Sequence, residues 1–175
     1  MRKVTLFFAA ALFSLLSFAQ DNNADIVKVG DSMPAFTLHS TVNGTVSSED
    51  LKGKVVLINI FATWCGPCQS EMPDIQTAWK EHGTDVEFVI VNMTGMNGET
   101  EQSAKAFLAD AGYTFPCYFD ANNSAATAFG VSSIPQTYLI NAEGNIIGAY
   151  MGAMDASVIA QGIDMLTGDI SGAAQ

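Results

Sequence analysis

Cys65 and Cys68 stand in the run Trp64-Cys65-Gly66-Pro67-Cys68, just downstream of the apolar stretch Val55-Val56-Leu57-Ile58-Asn59-Ile60-Phe61. A strand that delivers two cysteines to the first turn of a helix suits thiol-disulfide exchange: one sulfur is held as a nucleophile and the other closes on it. Unpaired backbone N–H groups and the helix dipole stabilise an anion there by up to about 2 kcal/mol, which favours the Cys65 thiolate over its thiol. Cys68, one turn further in, is the better shielded sulfur and attacks Cys65 once a mixed disulfide has formed. Cys65 is therefore the expected nucleophile and Cys68 the expected resolving thiol. Gly66 puts no side chain beside the reacting disulfide, and Pro67 suits a first helical turn, where its missing N–H is least harmful. Neither places a charge near Cys65, which points to a reductase. The competing reading of a Cys-x-x-Cys pair is half of a zinc site. It needs two more ligands, and only Cys117, His39 and His82 are on offer, with neither histidine in ligand-like spacing. No metal and no organic cofactor is expected.

The elements that must position this pair are legible around it. Val55 to Phe61 is too continuously apolar for a half-exposed strand and reads as buried on both faces. From Cys68, the positions Met72, Ile75 and Trp79 fall on one helix face, and the helix ends near His82-Gly83. Pro73 inside it leaves the Gln69 carbonyl without its usual partner and should disturb the helix there. Val86 to Val91 is a second interior strand, and Glu101 to Ala111, closed by Gly112, a second helix. Tyr118-Phe119 reads as a short strand and Ser124 to Phe129 as a short helix. Two hairpins flank this core: Phe36 to Leu38 with Thr45 to Ser47 around Asn43-Gly44, and Gln136 to Ile140 with Ile146 to Tyr150 around Asn141-Ala142-Glu143-Gly144. A last helix spans about Asp155 to Leu166. Strand-helix-strand units followed by a hairpin and a closing helix imply an α/β fold, a mixed central sheet with helices on both faces.

The N-terminus reads as a targeting segment. Arg2 and Lys3 precede an almost wholly apolar stretch from Val4 to Phe18, and Ser17-Phe18-Ala19 supplies small residues for cleavage after Ala19. The apolar run is shorter than the roughly 20 residues that span a bilayer, so a retained anchor is the lesser reading. Residues 1–19 are thus a signal peptide, 20–28 an N-terminal tail, 29–166 the folded domain and 167–175 a loose tail. Loss of Arg2 and Lys3 removes two positive charges and no acidic ones, so the net charge of −11 becomes −13. That balance disfavours nucleic acid and anionic membrane surfaces as partners. The cleaved protein is expected outside the cytoplasm, in the periplasm, without stable membrane insertion. Three cysteines, two of them in one close pair, suit a redox protein better than a stapled scaffold.

Trp-Cys-Gly-Pro-Cys at the first interior strand-to-helix junction resembles the thioredoxin family. The extra N-terminal hairpin, the continuation Cys68-Gln69-Ser70-Glu71-Met72-Pro73 and the helix-strand insertion between Thr94 and Asp120 resemble its exported TlpA/ResA branch, over roughly Val29 to Leu166. The resemblance implies a thioredoxin-like fold and a thiol-disulfide oxidoreductase that reduces disulfides of exported proteins and is itself re-reduced by a membrane dithiol electron donor. Apocytochrome c cysteines are among the substrates it implies. Pro135, in Ser132-Ser133-Ile134-Pro135-Gln136-Thr137, matches the family's cis proline opposite the cysteines, with the Ile134 backbone free to pair with an extended substrate. Trp64 is expected to cover one side of the disulfide and to touch partners. Glu71, three residues beyond Cys68 on the same helix face, is by the same resemblance a group that tunes the cysteines and moves protons; the plainer reading is a solvated helical glutamate. Asn59 stands where thioredoxin carries a buried aspartate and cannot take a proton. Cys117 reads as a small buried hydrophobe, a second redox contact being the alternative. Two other functions compete: a peroxiredoxin-like thiol peroxidase, for which Thr63 is one residue out of place and Cys68 competes with peroxide, and a copper-binding or docking module, for which no methionine or histidine adjoins the pair.

Overall fold

The apolar run at 55–61 forms strand β3 (Val56–Phe61) in a seven-stranded sheet, in a computed structural model that describes residues 27–40 and 42–168. The expected signal peptide, most of the N-terminal tail and the chain beyond 168 lie outside the described residues. The strands run in the order β2 (Gly44–Ser47), β1 (Thr37–Ser40), β5 (Cys117–Phe119), β4 (Glu87–Asn92), β3, β6 (Gln136–Ile140) and β7 (Ile146–Met151). The three central strands β5, β4 and β3 are mutually parallel, and the outer ones pair antiparallel. Every residue of β3 is buried. Both of its faces are covered, so the sequence cannot alternate polar with apolar as a one-sided strand does.

Side chains alternate between the faces with period 2, and β3 divides accordingly. Leu57 and Phe61 join a cluster with Met72, Ile75, Leu108, Ile159 and Ile163, which come from α1 (Gly66–His82), α2 (Glu101–Ala111) and α4 (Ala156–Thr167). Val56, Ile58 and Ile60 face the other way. They meet Phe36, Leu38 and Val46 of the N-terminal segment, Leu51 of a 3-10 turn over Ser48–Leu51, and Ala125 of α3 (Ser124–Ala128). Asn59 shares the α1 side with Leu57 and Phe61, a polar residue in the middle of an apolar face. Ile58 is wholly buried between covered layers. Ile58→Ala is expected to lower the unfolding free energy by about 2–5 kcal/mol, read from the urea midpoint at unchanged slope.

Three helix ends follow local chemistry. α2 begins at Thr100, whose hydroxyl accepts the Ser103 N–H, and ends at Gly112, which takes the left-handed conformation at φ 72°. α1 stops at Gly83, where a Cβ would stand 2.6 Å from the Trp79 carbonyl oxygen. The disturbance expected at Pro73 is confined: α1 runs unbroken across it. Pro73 and Gln69 both lie on the exposed side, where water meets the carbonyl that proline leaves free.

Candidate active site

The parallel strands end where β3 turns into α1, and the antiparallel pairing of β6 brings the start of that strand to the same place, with Ile60 opposite Gln136. The turn after β3 and the segment before β6 therefore face each other. Cys65 caps α1: its Sγ accepts the Cys68 N–H at 3.2 Å, and its carbonyl accepts the Gln69 N–H at 3.0 Å. Pro67 occupies the first turn, as its fixed φ and absent N–H favour. Cys65 and Cys68 are joined in a disulfide with their Cα atoms 5.2 Å apart. Cys65 keeps 6% of its surface exposed and Cys68 none, so the two sulfurs differ in access. The Ile134–Pro135 peptide is cis, and the Ile134 carbonyl oxygen lies 3.7 Å from Cys65 Sγ. Trp64 is 46% exposed beside the pair, among the few large apolar side chains the surface shows. Gly66 and Pro67 are exposed, Ile134 is half-buried and Pro135 buried.

Glu71 is not a solvated helical residue. It is buried, and its Oε1 accepts Asn59 Nδ2 at 2.8 Å and its Oε2 accepts the Met154 N–H at 3.0 Å. Burial pushes its carboxyl up from the ordinary value of 4.5, and these two donors pull against it. Asn59 Nδ2 also donates to Thr137 Oγ1 at 2.9 Å, whereas Asn59 Oδ1 is buried without a partner. The cis Ile134–Pro135 segment thus meets the Cys65–Cys68 pair through the Ile134 carbonyl, Trp64 adjoins Cys65 along the chain, and Glu71 lies one turn beyond Cys68 on α1. Cys117 sits in β5, buried, and burial pushes its thiol well up. Such a thiol is a poor source of thiolate. Trp79 is half-buried against the α1-side cluster, His39 is exposed and His82 half-exposed. Among the described residues no three His, Cys, Asp or Glu side chains gather into a group able to hold a metal ion.

Sequence reasoning missed three parts of this site. Thr137 and the Met154 N–H enter only through the folding of β6 and of the segment before α4. Glu99, 4% exposed, is a second buried carboxylate: Oε2 accepts Thr63 Oγ1 at 2.7 Å, and Oε1 accepts the Thr63 N–H at 3.3 Å and Asn92 Nδ2 at 2.8 Å. Asn92 offered the one available signal, a polar residue at the carboxyl end of an interior parallel strand, where sites of open α/β sheets collect. The Thr63 hydroxyl that a peroxidase would turn toward Cys65 is instead engaged by Glu99.

A profile of the Redoxin family matches residues 28–163. The chain is 36% identical over 153 residues to the thiol-disulfide oxidoreductase ResA of Oceanobacillus iheyensis, covering 83% of this chain and 76% of that protein. It is 33% identical over 148 residues to ResA of Bacillus subtilis, covering 83% and 80%. The crystal structure of the exposed lipoprotein thioredoxin of Streptococcus pneumoniae superposes with a TM-score of 0.67 at 29% identity, over 75% of this chain and 99% of that one. Extent and identity agree with a fold that presents a Cys-Gly-Pro-Cys disulfide at a helix N-terminus, and the chain accordingly belongs to the Redoxin family, as a thioredoxin-like thiol-disulfide oxidoreductase of the ResA type that works on disulfide substrates with redox partners.

Proposed function

We propose that this protein is an exported reductant of protein disulfides, with residues 1–19 as a cleaved signal peptide and the domain at 29–166 working in the periplasm. The Cys65 thiolate attacks a substrate disulfide; one substrate sulfur leaves as a thiol, and the other remains bonded to Cys65. Cys68 then attacks Cys65 Sγ, the substrate departs fully reduced, and Cys65–Cys68 closes. A membrane dithiol returns the two electrons. Glu71 exchanges the proton at Cys68, while Trp64, Gly66, Pro67, Ile134 and Pro135 form the edge against which the substrate chain lies. Exported proteins, apocytochrome c cysteines among them, are the substrate class. The solved relative named as an exposed lipoprotein supports placement outside the cytoplasm.

The observation that carries this reading is the unequal pair: Cys65 Sγ sits at the helix N-terminus with the Ile134 carbonyl 3.7 Å away, and Cys68 is sealed behind it. That inequality supports Cys65 as the attacking sulfur and Cys68 as the resolving one. Titration against glutathione and dithiothreitol buffers tests the direction: a midpoint near about −270 mV supports a reductant, and one near about −120 mV reverses the assignment. Insulin reduction tests the edge. Trp64→Ala is expected to raise KM about tenfold, the equivalent of about 1.4 kcal/mol, with kcat within about threefold.

A further inference from the structure

Thr63 is the residue from which the chain enters Trp64 and Cys65, and each of its polar atoms is fastened. Its N–H and hydroxyl are taken by the Glu99 carboxylate at 3.3 and 2.7 Å, and its carbonyl accepts Gln69 Nε2 at 2.6 Å. Gln69 belongs to α1, whereas Glu99 comes from the segment between β4 and α2. That segment is itself closed, since the Glu99 N–H donates to the Met96 carbonyl at 2.9 Å and the Gly95 N–H to the Glu99 carbonyl at 2.8 Å. Asn92 Nδ2 holds the carboxylate from the end of β4, and Thr94 Oγ1 donates to Asn92 Oδ1 at 2.8 Å, so the receiving group is fixed in turn. Asn92 is fully buried and Glu99 nearly so. A hydroxyl donating to a buried carboxylate is a strong contact, and breaking it strands a buried acceptor.

We propose that Glu99 is a positioning residue for thiol-disulfide exchange: through Thr63 it fixes the arm bearing Trp64 and Cys65, and so sets how Cys65 Sγ meets the α1 N-terminus and the Ile134 carbonyl. In-line attack on a disulfide depends on that alignment, and displacement of a reacting atom by about 1 Å costs as much as about 100-fold in rate. The inference rests on Cys65 being the exchanging sulfur. It does not depend on the direction of electron flow.

The test compares Glu99→Ala, Glu99→Gln and Thr63→Val in the whole protein, with the Cys65–Cys68 disulfide first reduced by dithiothreitol and the reductant removed, by the rate at which iodoacetamide alkylates Cys65 across pH, with insulin reduction and urea unfolding alongside. Glu99→Ala and Thr63→Val should each shift the pH profile of Cys65 alkylation and lower kcat/KM for insulin about tenfold or more. Glu99→Gln keeps the shape and can donate to Thr63 Oγ1, so it should restore both to within about threefold. Thr63→Val deletes one hydroxyl and decides the matter should Glu99→Ala fail to fold. Wild-type alkylation profiles in Thr63→Val, or a Glu99→Gln protein as impaired as Glu99→Ala, overturn the proposal even where the wild-type protein turns insulin over. Absence of turnover in the wild type would strike the enzymatic reading instead and leave the alkylation comparison standing.

Discussion

Reduced Cys68→Ser protein mixed with an insulin disulfide is expected to accumulate a covalent adduct through Cys65, while Cys65→Ser forms none and loses about 10³-fold or more in insulin reduction. The asymmetry follows from access and from the helix. Cys65 retains a little exposed surface and receives the Cys68 N–H at the N-terminus of α1; Cys68 retains none and is enclosed by the α1-side core. With the resolving thiol replaced by a hydroxyl, the mixed disulfide has no internal exit and persists until an external thiol reaches it. Mass spectrometry of the peptide spanning 64–68 identifies the sulfur that carries the adduct. An adduct on Cys68 in the Cys65→Ser protein, or none in either variant, would contradict the assigned order of attack.

Periodicity and local chemistry make most of the fold legible in the sequence. The helix at Glu101 to Ala111 is found with those bounds because its apolar face ends against Gly112, whose left-handed conformation is a local requirement. β3 and β4 stand out as predominantly apolar runs, broken in β3 by Asn59 alone, and both hairpins are marked by their turn residues. The dithiol and Pro135 are also local signals, since two cysteines three apart and a proline opening a strand carry their chemistry in a few residues. What the sequence could not convey depends on contacts between distant segments. Whether Glu71 faces water or core is undecided by its helix position. It is decided by Asn59 across the sheet and by the Met154 N–H, 83 residues away. Glu99 touches Thr63 over a separation of 36 residues and lies just before a helix start, where an acidic residue is commonplace. Cys117 is settled in the same manner: parallel pairing of β5 with β4 puts it opposite Ile90 and inside the core, which makes it a packed thiol.

Glu71→Gln is expected to lower insulin reduction about 100-fold near neutral pH and to remove one limb of its pH profile, the scale usual for loss of a positioned acid or base. It should change the pH dependence of stability in a definite direction. Burial holds the Glu71 carboxyl above its ordinary 4.5, so the folded protein binds that proton more tightly than the unfolded chain. Its stability contribution is then fully present below about 4.5, is lost as pH climbs through the raised folded value, and is level beyond it. Glutamine has no such proton, so the variant's urea midpoint should lack this decline. The substitution is tolerable for a specific reason. Asn59 Oδ1 is buried without a partner, and turning the Asn59 carboxamide over offers that oxygen to the new amide, or in the wild type to a protonated Glu71. Glu71→Ala has no such remedy: it strands the Met154 N–H, leaves Asn59 Nδ2 with Thr137 Oγ1 as its remaining acceptor and opens a cavity, so it should be the less stable of the two variants. A Glu71→Gln protein with an unaltered pH–rate profile would remove Glu71 from the proton path and leave it a purely structural carboxylate.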